Sequence, residues 1–198
     1  MKWSGHRSLL TIVLTLWCAS SFCQKFNYDV MLFGGKIGET TIELKDSAGF
    51  RHYTLRSKTE AKMLFVDKKS SMCTDVLFDQ AGKMLSSFFQ NVKDDETLLT
   101  KAIASNDGKV EVDINGTKAE YPGPVNFTSI LLYFGEPKNM QRVFSERVGK
   151  FFEMVRQNDG TYITTLDGHS AVYTYKAGKL VLLEMKSTLG SVMLKLVQ

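Results

Sequence analysis

Cysteine, proline and histidine each occur only three times in 198 residues, and no long uncharged apolar run appears beyond the N-terminal region. So little cysteine excludes a disulfide-stapled scaffold or a zinc ribbon. Fifteen glycines and three prolines are too few for collagen or a low-complexity linker, and 43% hydrophobic residues are too many for intrinsic disorder. Polytopic membrane protein is excluded by the missing apolar runs. What remains is a globular chain, with a prior of one domain of ~100–200 residues that buries roughly 70% of its unfolded surface without cross-links.

The N-terminus departs from this pattern. Lys2 and Arg7 stand without an acid, Leu9 to Trp17 is apolar, and Cys18 to Cys23 is mostly small. That is the pattern of a secretory signal peptide. Ser8 to Cys23 carries no charge for 16 residues, short of the ~20 that a spanning helix needs. The expected organisation is a signal peptide over 1–23 and a single domain over 24–198, exported to a periplasmic or extracellular setting with no transmembrane span. Losing Lys2 and Arg7 lowers the formal charge from +4 to +2, which leaves no basic footprint for nucleic acid. Cleavage after Cys23 leaves Cys73 alone in the mature domain and removes both tryptophans. Cleavage after Ser21 would keep Cys23 and permit a Cys23 to Cys73 bridge. An acylated Cys23 would want a small residue before it, where Phe22 stands.

Turn residues punctuate the mature chain. Asp46 to Gly49, Asp79 to Gly82, Asn106 to Gly108, Asn115-Gly116, Asn158 to Gly160, Asp167-Gly168 and Lys176 to Gly178 each supply the positive-φ residue that tight hairpins use. Between them lie strand-length runs. Phe26 to Val30 and Lys109 to Ile114 alternate apolar with polar, whereas Leu180 to Leu183 and Val192 to Leu194 are apolar on both sides and require cover on both faces. Val125 to Phe134 supplies that cover: a short apolar helix, capped by Asn126 or Thr128 and stopped by Gly135 and Pro137. Ser57 to Val66 fits either a capping box or a strand and is assigned to strand. The expected fold is mainly β, a single curved antiparallel sheet or half-barrel of about ten or more strands, partly wrapped around a helix at about 125–134.

Catalytic signatures are sparse. Gly34 to Gly38 lacks the spacing of a phosphate-binding loop and reads as a hairpin turn. His52 and His169 sit in no metal-binding spacing, so no metal or other cofactor is expected. A Gly-x-Ser-x-Gly elbow is missing. Cys73 reads as a small core hydrophobe rather than a nucleophile. Asp94-Asp95-Glu96 reads as a solvated loop. Glu136, Glu146 and Arg147, around the end of the helix, form the one constellation able to run acid/base chemistry, set against a plain ion pair with Arg147 or Lys150. Asn115 and Asn126 begin formal glycosylation sequons.

Aromatic side chains are plentiful. They give either a hydrophobic core or an apolar groove between sheet and helix, lined by Ile130, Leu131, Tyr133, Phe134, Phe88 and Tyr173, with Glu136, Glu146 and Arg147 as a polar rim.

Tyr28-Asp29-Val30 with Gly35 to Gly38, Ser129 with Leu132 to Pro137, Ser145 to Phe151, and Tyr173 to Gly178 together resemble an uncharacterised family of exported Bacteroidetes-type proteins, carried as a domain of unknown function. The resemblance implies export, a β-rich domain and a bacterial envelope, which would make both sequons incidental. In outline the architecture is also similar to periplasmic lipoprotein carriers, a likeness of fold alone. Two functional expectations follow, neither an enzyme. One is a domain that binds an apolar small molecule, a lipid or a lipid-modified partner near the helix. The other is an envelope structural or protein-interaction domain whose apolar residues fill a core while its strand faces meet a partner protein.

Overall fold

A computed structural model describes residues 22–47, 49–63, 66–157, 159–187 and 190–197. The expected signal peptide therefore lies outside the described residues up to position 21. Fourteen strands form one antiparallel sheet: β1 (Phe22–Leu32), β2 (Gly35–Ser47), β3 (Phe50–Met63), β4 (Val66–Asp79), β5 (Met84–Lys93), β6 (Glu96–Ala104), β7 (Lys109–Ile114), β8 (Thr117–Pro122), β9 (Arg142–Ser145), β10 (Lys150–Arg156), β11 (Thr161–Leu166), β12 (His169–Lys176), β13 (Lys179–Ser187) and β14 (Gly190–Leu196). No helix among the described residues is long and apolar enough to cross a membrane.

The turns form where the sequence places them. Asn115-Gly116, Asp167-Gly168 and Ala177-Gly178 hold both central residues at positive φ, as does Phe33-Gly34. Paired positive φ values match the twist of the flanking strands, which is why these hairpins are tight. Ser57 onward is strand as far as Met63, and β4 begins at Val66, with residues 64 and 65 outside the described set. Asp94 stays exposed in the turn between β5 and β6.

Strand order is β8-β7-β6-β5-β4-β3-β2-β1-β14-β13-β12-β11-β10-β9. The chain meanders outward from β1 to β8, crosses over, and meanders back from β9 until β14 pairs with β1. The two edges of the sheet are therefore consecutive in sequence, and the segment 123–141 joins them.

That crossover segment covers the concave face. All three prolines, Pro122, Pro124 and Pro137, flank it or lie within it. Its helix is shorter than the sequence suggests, a 3-10 turn over Ser129–Tyr133, and Thr128 at its N-cap is extended with no side-chain cap. Residues 125–128 stay extended because their backbone is bonded elsewhere: Val125 O accepts from Met84 N–H at 2.8 Å and Phe127 O from Phe144 N–H at 3.0 Å. Val125, Ile130, Leu132 and Phe144 are almost wholly buried in one cluster with Tyr28, Ile42, Val76, Val112, Tyr162 and Leu180.

Register corrects the readings of the cysteines. Odd positions of β4 face outward, so Cys73 is half-buried on the convex side across from Arg56 and Gln90, not in the core. Cys23 lies opposite Lys45 on β2. Three strand spacings of ~4.8 Å separate β1 from β4, far beyond disulfide reach. Both thiols are free.

The turn between β9 and β10 rests on the concave side of β6 and β7. Thr100 donates its hydroxyl proton to Arg147 O at 2.7 Å. Gly149 has φ +61, and a Cβ there would meet Val112 Cγ1 at 2.3 Å, whereas Gly178 at φ +76 faces open space. Gly178→Ala therefore meets only backbone strain of about 1–2 kcal/mol. Gly149→Ala adds overpacking of about 1–3 kcal/mol, so its urea midpoint falls further. Equal losses would mean that this turn does not touch the sheet.

Candidate functional site

Most of the residues expected to line a concave groove are packed against one another. Ile130 is 2% exposed and Tyr173 8%. Tyr133 meets Tyr28 edge to face at 5.6 Å, and Phe134 sits between Phe26 at 5.7 Å and Tyr53 at 5.0 Å. Half-buried Leu131 packs against the same cluster. Tyr175 donates its hydroxyl proton to Leu132 O at 2.8 Å, which pins the 3-10 turn to β12. These side chains hold the crossover segment in place.

The two carboxylates are likewise engaged, separately. Glu146 is 2% exposed and accepts from Ile130 N–H at 3.0 Å and from the Ser129 hydroxyl. It thus replaces the missing side-chain cap. Burial pushes its carboxyl above the ordinary carboxylate range, opposed in part by the Ser129 and Ile130 bonds. Burial also pushes the Tyr173 hydroxyl up, and the Glu146 charge adds to that shift. Glu136 accepts from the Tyr162 hydroxyl at 2.9 Å. Arg147 has an exposed side chain, and its backbone carbonyl is the group that contacts β6. No ion pair joins Glu146 or Glu136 to Arg147 or Lys150 among the described residues.

Phe88 is elsewhere. In the Phe88-Phe89 pair the strand alternation can turn only one ring inward, and it is Phe89, at 3% exposure. Phe88 faces outward into an open depression of about 530 Å³ on the convex face, lined also by Phe50, His52, Asp75, Leu77, Lys101 and Ile103. Two cross-strand rows build it. One runs His52, Leu77, Ser86, Ile103, and the next runs Thr54, Asp75, Phe88, Lys101. Phe50 and Ile103 are 47% and 59% exposed. Asp75 accepts two bonds at 2.9 Å from Arg56, whose other nitrogen donates to Leu55 O and Thr74 O. His52 Nε2 lies 3.4 Å from Asp75. A second open depression, about 740 Å³, lies among charged residues including Lys36, Lys58, Glu60 and Lys69. No residue of the 3-10 turn lines either one. Among the described residues no three His, Cys, Asp or Glu side chains are grouped to hold a metal ion.

Residues 28–197 match a family described as a domain of unknown function, DUF6134. The chain belongs to this family. No curated protein matches the DUF6134 chain. It is similar to the crystal structure of a beta-barrel-like protein of the domain of unknown function DUF1849 from Brucella abortus, with a TM-score of 0.56, 15% identity, and coverage of 88% of this chain and 95% of that one. At that identity the likeness is one of fold. It agrees with a curved, mainly β architecture.

Sequence reasoning missed the convex depression in this DUF6134 domain, because His52, Asp75, Phe88, Lys101 and Ile103 come from four strands and meet only through register. It also took Glu146 for a rim residue, although its partners, Ser129 and Ile130, lie 17 and 16 positions away. Folded Glu146 holds its proton more tightly than the unfolded chain does, so stability falls as pH rises from about 4.5 through its raised value. Glu146→Gln does not titrate. Urea denaturation across pH should show the native chain losing stability relative to this variant, by up to about 1.4 kcal/mol per pH unit within that window. A pH-independent difference would contradict the burial of a titrating Glu146.

Proposed function

We propose that this DUF6134 domain is an exported, non-enzymatic binding domain that keeps its concave side as a filled core and meets its ligand or partner on the convex face. The observation that carries this reading is the packing of Ile130, Leu132, Tyr133, Phe134 and Tyr173, which occupies the place where a concave groove would lie. Exposed apolar side chains gathered in one patch mark interaction sites on soluble proteins, and exposed Phe50 and Ile103 with half-buried Leu77 and Phe88 form such a patch outside. Lys2, Arg7 and the apolar Leu9 to Trp17 segment support export. The non-enzymatic reading rests on Glu136 and Glu146, each committed to a bond that holds the fold.

Titration of the folded mature chain with an apolar reporter dye tests this directly. Saturable uptake should be lost in Ile103→Asp, with the thermal midpoint unchanged because that side chain is exposed. Leu131→Asp should lower the midpoint, since it disturbs the core. Uptake that survives Ile103→Asp but disappears in a still-folded Leu131→Asp would move the site to the concave side and overturn the proposal.

A further inference from the structure

We infer that the free edge of β8 is the docking site of a second copy of this chain, the two β8 strands pairing antiparallel with Lys118 of each copy opposite Glu120 of the other. This goes beyond the convex-face reading and does not rest on it. The sheet has two edges, and the crossover segment covers one of them. Phe144 on β9 donates its N–H to Phe127 O and bridges Thr128, so the outer side of β9 is occupied. Beyond Pro122 the chain turns inward, where Val125 is buried and bonded to β5. That leaves β8 with β7 as its one strand partner among the described residues. All of β8 is exposed except half-buried Tyr121.

Register shows which backbone groups this edge presents. Asn115 N–H bonds to Leu99 O and Ser105 N–H to Lys109 O, both at 2.9 Å, so odd-numbered groups of the β7 hairpin turn toward β6. Even-numbered ones therefore bond β8, in the pairs Val110 with Tyr121, Val112 with Ala119 and Ile114 with Thr117. Lys118 and Glu120 are left with N–H and C=O aimed out of the sheet. Two copies related by a two-fold axis can bring these groups together in three ways. Lys118 opposite Lys118, or Glu120 opposite Glu120, sets like charges face to face, and the latter also puts Pro122, which has no N–H, opposite Lys118. Lys118 opposite Glu120 sets opposite charges together at both symmetric positions, and each pair exchanges two backbone bonds. Small Ala119 then meets its own copy at the axis. Lysine and proline on an edge discourage pairing; here they exclude the alternatives and leave one register.

The neighbouring charges agree with this choice. Glu120 has Glu111 directly across on β7, and its carboxylate holds Lys109 Nζ at 2.6 Å. Lys118 has Asp113 across, whose carboxylate accepts from Gly116 N–H at 2.7 Å. Pairing continues the row Lys101, Asp113, Lys118 into Glu120, Glu111 and Ile103 of the second copy, which places a cation on the open side of two adjoining glutamates. With two bases and three acids the β7–β8 hairpin carries a net −1. Charge thus selects the register, and the backbone bonds hold the pair.

Six residues make an edge far smaller than a standard interface of ~1,600 Å², so the association is weak and is measured at high concentration. Sedimentation equilibrium of the mature chain in reducing buffer, up to about 1 mM, should show a reversible dimer that grows no further, because a two-fold pair is closed. Lys118→Glu and Glu120→Lys should each weaken it about tenfold, since each turns both attractive seam contacts into repulsive ones. Mixing the two variants should restore dimers of near-native affinity, because every seam position then meets its opposite charge. A chain that stays monomeric, a dimer indifferent to either substitution, or variants that do not pair when mixed would overturn the inference. Growth beyond the dimer would overturn it as well, and would point to association through the apolar convex patch.

Discussion

An open sheet of fourteen strands has an apolar concave face and two edges, and in this protein a single crossover segment covers the face and joins the edges. Bare apolar sheet surface is costly in water, at roughly 25 cal/mol per Å², and the usual solution is a layer of helices. Here the layer is one 3-10 turn with its extended approach. Because the turn is only five residues long, its side chains must fill the concavity closely, and aromatic rings from β1, β3 and β12 close in on it. Val125 and Phe127 carbonyls tie the same segment to β5 and β9, so that the two halves of the meander are held together by backbone bonds as well as by packing.

A buried carboxylate at the centre of this arrangement follows from the same constraint. A short 3-10 turn leaves backbone N–H groups without partners, and deep in a core an unmade hydrogen bond costs about 1–3 kcal/mol. Ser and Thr side chains usually supply the cap, but Thr128 makes no such bond. Glu146 supplies it from the adjoining hairpin. This ties the helical turn to the tip of the β9–β10 hairpin, and that tip in turn rests on β6 and β7 through Thr100 and Gly149. With the interior committed in this way, the proposed recognition falls to the strand faces, where side chains can be exchanged without loss of the core.

Much of this was legible in the residues. Positive-φ turn residues such as Asn115-Gly116 and Asp167-Gly168 mark the hairpins, strict alternation in Lys109 to Ile114 marks a half-buried strand, and the one break in the pattern marks the segment that covers the sheet. The length of the helix was not legible, because residues 125–128 are apolar enough for a helix and are kept extended by bonds to distant strands. Phe88-Phe89 could not be oriented without register, since period-two alternation fixes that one ring is outside but not which. Cys73 was misplaced for the same reason. Glu146, between Ser145 and Arg147, has the local composition of an exposed turn, and only the fold brings it to Ile130 N–H.

Native-state hydrogen exchange of the crossover segment is the most direct measurement of whether it forms the core. The N–H groups of Ile130, Phe144 and Met84, which bond to Glu146, Phe127 and Val125, should be among the slowest in the chain and exchange only through global unfolding, together with the central amides of β3 and β4. Rapid exchange at these three while β3 and β4 remain protected would show that the segment opens independently of the sheet, and the account of a filled concave side would then be wrong.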